Sequence, residues 1–248
     1  MDDQPSSSNH PSPWLPFESR RRARDEKREA VLRTAVQLFL EKGYHHATLN
    51  DVAERLNITK PALYNYFRGK DEILFECWVI GNERVDDCIN EITASGGTGL
   101  ERLRKLIRGY GEALTTDYGK SLVRFDVRDL AEADRKIVLA ARKRIDRTFR
   151  GYITKGIADG SIKPCDAKLS AFAIAGSLNW IGHWFLAGGP KTGAAVAEEF
   201  ATRLTEGIAM APTRKKAAKP SGKKKESRDA RAAPPATSQS KRARNRPR

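Results

Sequence analysis

The chain of 248 residues has little cysteine and little histidine, with three of the first and four of the second. Cys77, Cys88 and Cys165 are odd in number, lie far apart and form no Cys-x-x-Cys pair. This spacing excludes a disulfide framework and a zinc knuckle as the basis of the fold. We expect neither a metal ion nor a cofactor, and the cysteines are typical of a protein of the reducing cytoplasm.

The sequence also lacks the usual signals of secretion, membrane insertion and catalysis. No basic segment followed by an apolar run occurs at the N-terminus, so no secretory signal is expected. The apolar stretch 169–186 contains Ser170, Ser177, Asn179 and His183, which favours a helix buried on several faces over a membrane span. There is no glycine-rich phosphate loop and no nucleophile elbow, so we do not expect an enzyme.

Positive charge is abundant but unevenly placed. The formal net charge is +15 at pH 7, and residues 212–248 contribute +12 of it through fourteen basic and two acidic side chains. Residues 1–211 therefore carry only +3. The tail has two interpretations, a solvated extension or a segment that adds sequence-independent affinity for nucleic acid by releasing counterions, and the second is favoured.

Composition and periodicity predict four segments. Residues 1–19, with four prolines and a serine run, and the basic tail 212–248 are expected to be disordered. The remaining residues show apolar spacings of three and four, which predict an all-α protein of about nine helices. We expect a DNA-binding domain over 20–78 and a second helical domain over 79–211. The predicted helices, apart from one starting at Thr48, cover 25–42, 60–67, 70–93, 100–116, 120–128, 132–158, 166–187 and 192–210.

Residues 48–67 have the pattern of a helix-turn-helix. Thr48 is predicted to cap one helix by accepting from the amide of Asp51, and Thr59 to cap the next. Asn57 tolerates the left-handed backbone of a tight turn. Leu63 and Phe67 are spaced to face the core, leaving the opposite side of the second helix for a major groove. An ordinary helical hairpin with a solvated polar face is the alternative.

The predicted DNA contacts fall into three groups. Lys60, Pro61, Ala62 and Asn65 are placed to read base edges, and Thr48, Tyr64, Tyr66 and Lys70 to hold phosphates. The basic residues Arg20, Arg21, Arg22 and Arg24 are expected to form an arm before the first helix. Asn50 and the capping residue Thr59 complete the candidate interface.

The stretch TLNDVAERLNITKPALYNYFRGKDEIL, from Thr48 to Leu74, resembles the tetracycline-repressor-like (TetR) regulators of bacteria. The resemblance covers residues 25–77, and its one notable departure is Asn57, where the family commonly has glycine. It implies a homodimer, located in the cytoplasm at the nucleoid, that binds a near-palindromic operator on double-stranded DNA. It further implies that a small-molecule effector entering the C-terminal domain releases the DNA.

The second domain contains candidate residues for a dimer interface and for an effector site. The apolar stripe Ile174, Leu178, Ile181 and Phe185 is predicted to form a dimer interface, because the last two helices typically do so in this family. The candidate effector site consists of Tyr110, Arg124, Phe125, Arg128, Phe149, Tyr152, Asn179 and His183. Asn179 and His183 have an alternative role as a buried polar pair satisfied by neighbouring groups.

The stretch LNWIGHWF, residues 178–185, faintly resembles family members that respond to acyl-coenzyme A thioesters. This resemblance implies that Arg124 or Arg128 contacts a phosphate group of the effector. Another hydrophobic effector is the alternative. The leading functional prediction is an effector-responsive repressor. A nucleoid-type architectural protein dominated by its basic tail is the alternative, and the two differ in how strongly they prefer one DNA sequence.

Overall fold

The structure is a computed structural model that describes residues 17–209 of the chain. Within this range it contains nine α-helices, a 3₁₀ turn and no β-strand, which confirms the predicted all-α fold. The helices are α1 (Phe17–Lys42), α2 (Leu49–Arg55), α3 (Lys60–Tyr64), α4 (Lys70–Ser95), α5 (Gly99–Ala113), α6 (Asp117–Arg124), α7 (Glu132–Ala158), α8 (Ala167–Trp184) and α9 (Gly193–Glu206), with the 3₁₀ turn at Val127–Asp129.

Several predicted boundaries differ from the structure: α3 ends at Tyr64 instead of residue 67, α9 ends at Glu206 instead of residue 210, and two further differences change the elements themselves. Helix α1 begins at Phe17, eight residues before the predicted start, so residues 17–19 belong to a helix and not to the leader. The element predicted over 120–128 is two elements, because α6 ends at Arg124 and the carboxylate of Asp126 caps a separate turn by accepting from the amide of Arg128 at 2.8 Å. The rest of the predicted leader and the basic tail 212–248 lie outside the described residues.

Short polar side chains explain where many of the helices start. Each accepts a hydrogen bond from a backbone amide in the first turn, which satisfies a donor that the helix itself leaves unpaired. The capping residues are Thr48 (α2), Thr59 (α3), Thr98 (α5), Thr116 (α6), Asp166 (α8) and Thr192 (α9). The local sequence therefore determines where these helices begin.

The hydrophobic core runs continuously from the first three helices into the rest of the protein. Val31, Leu32 and Phe39 of α1 are buried with Leu63 and Phe67. Helix α6 packs against α1, α4 and α8, so it lies between the N-terminal helices and the remaining bundle. Helix α5 packs against α4, α7, α8 and α9. A displacement of α6 would therefore change the packing of the N-terminal helices and of the remaining bundle.

None of the described helices is long and apolar enough to cross a membrane. Helix α8, which contains most of the apolar stretch 169–186, packs on other helices of its own chain. Between residues 17 and 209, no three His, Cys, Asp or Glu side chains are grouped so that they could hold a metal ion.

Candidate DNA interface and effector cavity

Helices α2 and α3 meet at the tight corner that the sequence predicted. The hydroxyl of Thr48 accepts from the amide of Asp51 at 3.1 Å, and the Asp51 carboxylate accepts from the amide of Thr48 at 2.6 Å. Lys42 donates to the same carboxylate at 2.7 Å, and these donors hold the pKa of Asp51 well below its usual range. Asn57 has φ 52°, the left-handed conformation expected of it.

Helix α3 buries one side and exposes the other. Leu63 and Phe67 lie in the core, as predicted. Lys60, Pro61, Tyr64 and the C-cap residue Asn65 are exposed, together with Asn50 and Thr59, while Ala62 and Tyr66 are half-buried. The exposed side is a short polar surface of the kind that enters a major groove. We call the exposed and half-buried residues of 59–66 the reading surface.

Lys70, predicted to bind phosphate, is hydrogen-bonded within the protein. Its ammonium donates to the carbonyl oxygens of Tyr44 at 2.6 Å and Ala47 at 3.0 Å. It also lies 4.3 Å from the centre of the Tyr44 ring. Burial lowers the pKa of this amine. Lys70 therefore joins the loop after α1 to the start of α4, and these two hydrogen bonds leave one of its three donors for another partner.

Thr48 is similarly occupied. Its hydroxyl donates to the Asp51 carboxylate at 2.8 Å while accepting from the Asp51 amide. A phosphate contact from this hydroxyl would have to replace its donation to the Asp51 carboxylate, while the cap, in which the hydroxyl accepts, could remain. Of the four predicted phosphate contacts, Thr48 and Lys70 are therefore hydrogen-bonded within the protein, and Tyr64 and the half-buried Tyr66 stay predictions.

The four N-terminal arginines are not an arm that precedes the first helix, because they lie inside α1. Arg20, Arg21, Arg22 and Arg24 are exposed there. Lys27 lines a groove of about 330 Å³ together with Ala62 and Tyr66 of the reading surface. Arg20 and Arg24 precede Lys27 by seven and three residues, so they share its face of α1 and extend about 10 Å further along the axis. This rigid basic face borders the reading surface.

A cavity of about 350 Å³ lies among the C-terminal helices. It brings together four of the predicted effector residues, Tyr110, Phe149, Asn179 and His183. The Tyr110 hydroxyl donates to Oδ1 of Asn179 at 2.8 Å, and its ring packs edge-on against Phe149. Burial raises the pKa of Tyr110 to about 12. The full lining is Trp78, Tyr110, Leu122, Val123, Arg142, Ile145, Asp146, Phe149, Ala171, Phe172, Ala175, Asn179 and His183.

The other four predicted effector residues lie elsewhere. Arg124 donates to the carbonyl oxygen of Leu40 at 3.2 Å, and Arg128 pairs with Asp126. Phe125 packs edge-on against Phe39, and Tyr152 is half-buried against the core. None of them lines the cavity, so their assignment to it was wrong. The expected phosphate contact through Arg124 or Arg128 has no support from this geometry.

Sequence reasoning missed three polar residues of the cavity wall, Trp78, Arg142 and Asp146. Arg142 is half-buried, donates to the carbonyl oxygen of Leu122 at 2.9 Å, and has a pKa lowered by burial. One signal was available for it. Arg142 precedes Ile145 and Phe149 by three and seven residues, and this spacing places it on their buried face of α7.

The predicted dimer stripe is buried within the single chain. Ile174, Leu178, Ile181 and Phe185 all belong to the core of their own subunit, so their assignment to a subunit interface was wrong. The exposed large apolar side chains of the α8 region lie on the opposite face and just beyond the end of the helix. They are Leu169, Phe172, Trp180, Trp184 and Leu186, and we call this set the α8 outer face.

Two family models match separate parts of the chain. Residues 31–77 match the family model described as bacterial regulatory proteins, tetR family, and residues 96–208 match the tetracyclin repressor-like C-terminal domain. The chain belongs to the TetR family. The two matched regions contain the reading surface and almost all of the cavity lining. As a TetR-family member, it is a DNA-binding transcriptional regulator.

Individual TetR relatives are distant. The HTH-type transcriptional repressor KstR2 of Mycolicibacterium smegmatis is 23% identical over 194 residues, which cover 73% of this chain and 90% of that protein. The solved structure of the ketosteroid transcriptional regulator KstR2 of Mycobacterium tuberculosis has a TM-score of 0.70 at 23% identity, and covers 75% of this chain and 96% of that one. AibR in complex with isovaleryl coenzyme A and operator DNA has a TM-score of 0.63 at 22% identity, with coverage of 73% and 97%. These likenesses establish the fold.

Proposed function

We propose that this TetR-family chain is a homodimeric repressor that binds a near-palindromic operator and releases it when a small molecule enters the cavity. The observation that carries the proposal is the exposed reading surface beside the arginine face of α1. In such an arrangement the short helix reads base edges, while contacts to phosphates position the protein on the DNA. Repression is inferred from the relative KstR2, a transcriptional repressor with which the chain aligns over most of its length.

The α8 outer face is the surface proposed to bind a second copy. Trp180 is 63% exposed and Trp184 is 42% exposed. Of the nine exposed large apolar side chains between residues 17 and 209, five belong to this face. A contiguous apolar surface of this kind is unusual on a monomer. A second copy related by a twofold axis would cover it and place two reading surfaces on one palindrome.

Helix α6 is the proposed link between the cavity and DNA. Leu122 and Val123 of α6 line the cavity, and the Leu122 carbonyl oxygen accepts from Arg142 of α7. Two residues later, Arg124 donates to the carbonyl oxygen of Leu40 in α1. A ligand that displaces α6 would therefore move α1, and with it the helices that form the reading surface. Release requires that the ligand bind the displaced arrangement more tightly.

Selection of bound duplexes from a random pool tests the DNA-binding part of the proposal. The full chain is expected to enrich one near-palindromic sequence and to bind it at least about 10³ times more tightly than random DNA. Asn65→Ala is expected to change the preferred base at one position in each half-site. Lys136→Ala, on the exposed side of α7 where Lys136 pairs with Glu132, is the matched control and should leave the enriched sequence unchanged.

The alternative function predicts a different outcome of the same selection. A nucleoid-type architectural protein driven by the +12 of residues 212–248 would bind all duplexes with similar affinity and enrich no sequence. If wild type and Asn65→Ala enrich the same sequence, the protein is still a sequence-specific regulator, but Asn65 does not determine which bases it prefers.

A further inference from the structure

One titratable contact joins the helix-turn-helix region to the second domain. Nε2 of His45 lies 3.3 Å from Oδ1 of Asp129, and the two form an ion pair when the imidazole is protonated. His45 belongs to the loop between α1 and α2, and Asp129 is the last residue of the 3₁₀ turn that follows α6. Of the ion pairs within residues 17–209, this is the one that links residues 17–67 to residues 96–209.

The two partners differ in exposure. The side chain of Asp129 is 13% exposed, whereas that of His45 is 75% exposed. A carboxylate that is largely removed from water is costly unless a nearby charge compensates it. Within residues 17–209, His45 is the side chain that forms an ion pair with Asp129. Because one partner is largely buried, salt screens this pair less than a fully exposed one.

The loop that carries His45 leads directly into the helix-turn-helix. Thr48, three residues later, is the N-cap of α2. On the other side of His45, the ring of Tyr44 packs against Phe39 of α1 and Phe125 at the end of α6. The loop is therefore held between the first helix and the second domain. A change in its position would move the start of α2 and, with it, the reading surface.

Few other groups near this contact titrate between about pH 5 and 8. Burial raises the pKa of Tyr44 to about 12, so its hydroxyl stays protonated in this range. His46 is the second histidine of the loop and is exposed. The charged and titratable groups around the contact are Lys42, Tyr44 and His46 of the end of α1 and the loop, Lys70 and Asp71 of α4, and Arg128 of the 3₁₀ turn. Of these types of side chain, only the imidazole ordinarily titrates in this range.

We propose that His45 and Asp129 are positioning residues, whose ion pair forms when His45 is protonated, holds the loop against the second domain and fixes the orientation of the reading surface. The pair weakens as the pH is raised through the range in which histidines ordinarily titrate. In a dimer, the orientation of each reading surface sets their separation on DNA. The inference rests on the proposed function in one respect, that a dimer binds an operator of two half-sites.

Hydrogen exchange of the full chain without DNA tests the contact itself. Wild type and Asp129→Asn are compared at the same pH, so the intrinsic pH dependence of exchange cancels. At about pH 6 the amides of residues 44–56 should exchange about threefold or more faster in the variant, because a partly buried ion pair is lost. At about pH 8 the two proteins should exchange alike. His45→Ala should repeat this result, and because His45 is exposed it remains informative if Asp129→Asn fails to fold.

Operators of altered spacing test whether the contact positions the reading surfaces. Two duplexes of equal length carry the selected half-sites at the preferred spacing and at a spacing longer by one base pair, so both present the same number of phosphates. The ratio of the wild-type affinities for them should be about threefold or more larger at about pH 6 than at about pH 8. Asp129→Asn should give the smaller ratio at both pH values. His46→Ala, which removes the adjacent exposed imidazole, is the matched control and should keep the wild-type response.

Three outcomes would overturn the proposal. These are equal exchange of wild type and Asp129→Asn at the lower pH, a difference in exchange of the same size at the higher pH, and a spacing ratio of the wild type that does not change with pH. The last of these would mean that the contact holds the loop without positioning the reading surface. The proposed function fails separately, because exchange is measured without DNA. If no operator is enriched by selection, the dimeric repressor fails, and exchange still decides whether the contact depends on a proton.

Discussion

The ammonium of Lys70 is 2.6 Å from the carbonyl oxygen of Tyr44 and 4.3 Å from the centre of the ring of the same residue. The first residue of α4 is thereby attached to the segment between α1 and α2, directly beside the helix-turn-helix. A positive charge at this place in the sequence looks available for a phosphate. Two carbonyl oxygens and an aromatic ring already surround it, so we predict that its main role is to position the helices.

Lys70 and Lys60 should therefore respond differently to substitution. Lys70→Met should lower the free energy of unfolding by about 2 kcal/mol, because it removes two hydrogen bonds from a charged donor. It should leave the slope of log K against log salt for DNA binding unchanged. Lys60→Ala should leave stability nearly unchanged and reduce that slope by up to about one, because it removes an exposed cation from the surface predicted to face DNA. Denaturant titration and DNA titrations at several salt concentrations measure both quantities, and a reduced slope for Lys70→Met would restore it as a phosphate contact.

Asn57 holds the corner between α2 and α3 in a conformation that few residues adopt. With φ at 52°, Asn57→Ala should cost about 1 kcal/mol of stability, because a Cβ without a polar side chain is disfavoured in the left-handed region. Asn57→Gly should stay within about 0.5 kcal/mol of wild type, since glycine adopts this region readily. Chemical denaturation of the pair separates backbone strain from side-chain contacts. Equal losses in the two variants would mean that the asparagine side chain, and not the backbone angle, matters.

Gly81 of α4 permits the close approach of α6. A Cβ at this position would overlap the carbonyl oxygen of Tyr118, whereas a Cβ at Gly151 of α7 meets nothing within 4 Å. Gly81→Ala should therefore destabilise the protein by about 1–3 kcal/mol through overpacking. Gly151→Ala, the control, should stabilise it by up to about 1 kcal/mol through helix propensity. Thermal unfolding of both variants checks the packing, and a neutral Gly81→Ala would show that α4 and α6 are further apart than described.

Substitutions on the α8 outer face and in the buried stripe of the same helix should have opposite effects on subunit association and stability. Trp180→Asp should convert the proposed dimer into a monomer with little loss of subunit stability, because this side chain is 63% exposed. Ile181→Ala, at a position with 0% exposure, should cost about 2–4 kcal/mol of stability and leave the subunits associated. Sedimentation velocity gives the oligomeric state and denaturation gives the stability. A dimeric Trp180→Asp variant would place the subunit contact elsewhere.

The distinction between these two faces shows what sequence reasoning achieved and where it failed. Periodicity identified α8 as a helix apolar nearly all round, and capping residues placed the starts of α2 and α3. Spacing alone did not decide which apolar stripe meets the rest of the chain, because Ile174 and Trp180 are both suited to burial. That choice depends on the packing of α8 against α5, α6 and α7. The assignment of Arg128 to the cavity failed for the same reason, whereas the spacing of Arg142 from Ile145 and Phe149 already indicated that it lies on their buried face.

The basic tail 212–248 lies outside the described residues, and its predicted role follows from charge alone. Deletion of these residues removes +12 from a chain of +15. If the tail releases counterions from DNA, the truncated chain should bind random duplexes more weakly, and its slope of log K against log salt should be less steep. The preferred operator should be unchanged, because the reading surface is intact. Titrations of random and selected duplexes at several salt concentrations provide the comparison. Identical slopes for the full and truncated chains would show that the tail takes no part in binding, and the +3 of residues 1–211 would then be sufficient for the electrostatic component of affinity.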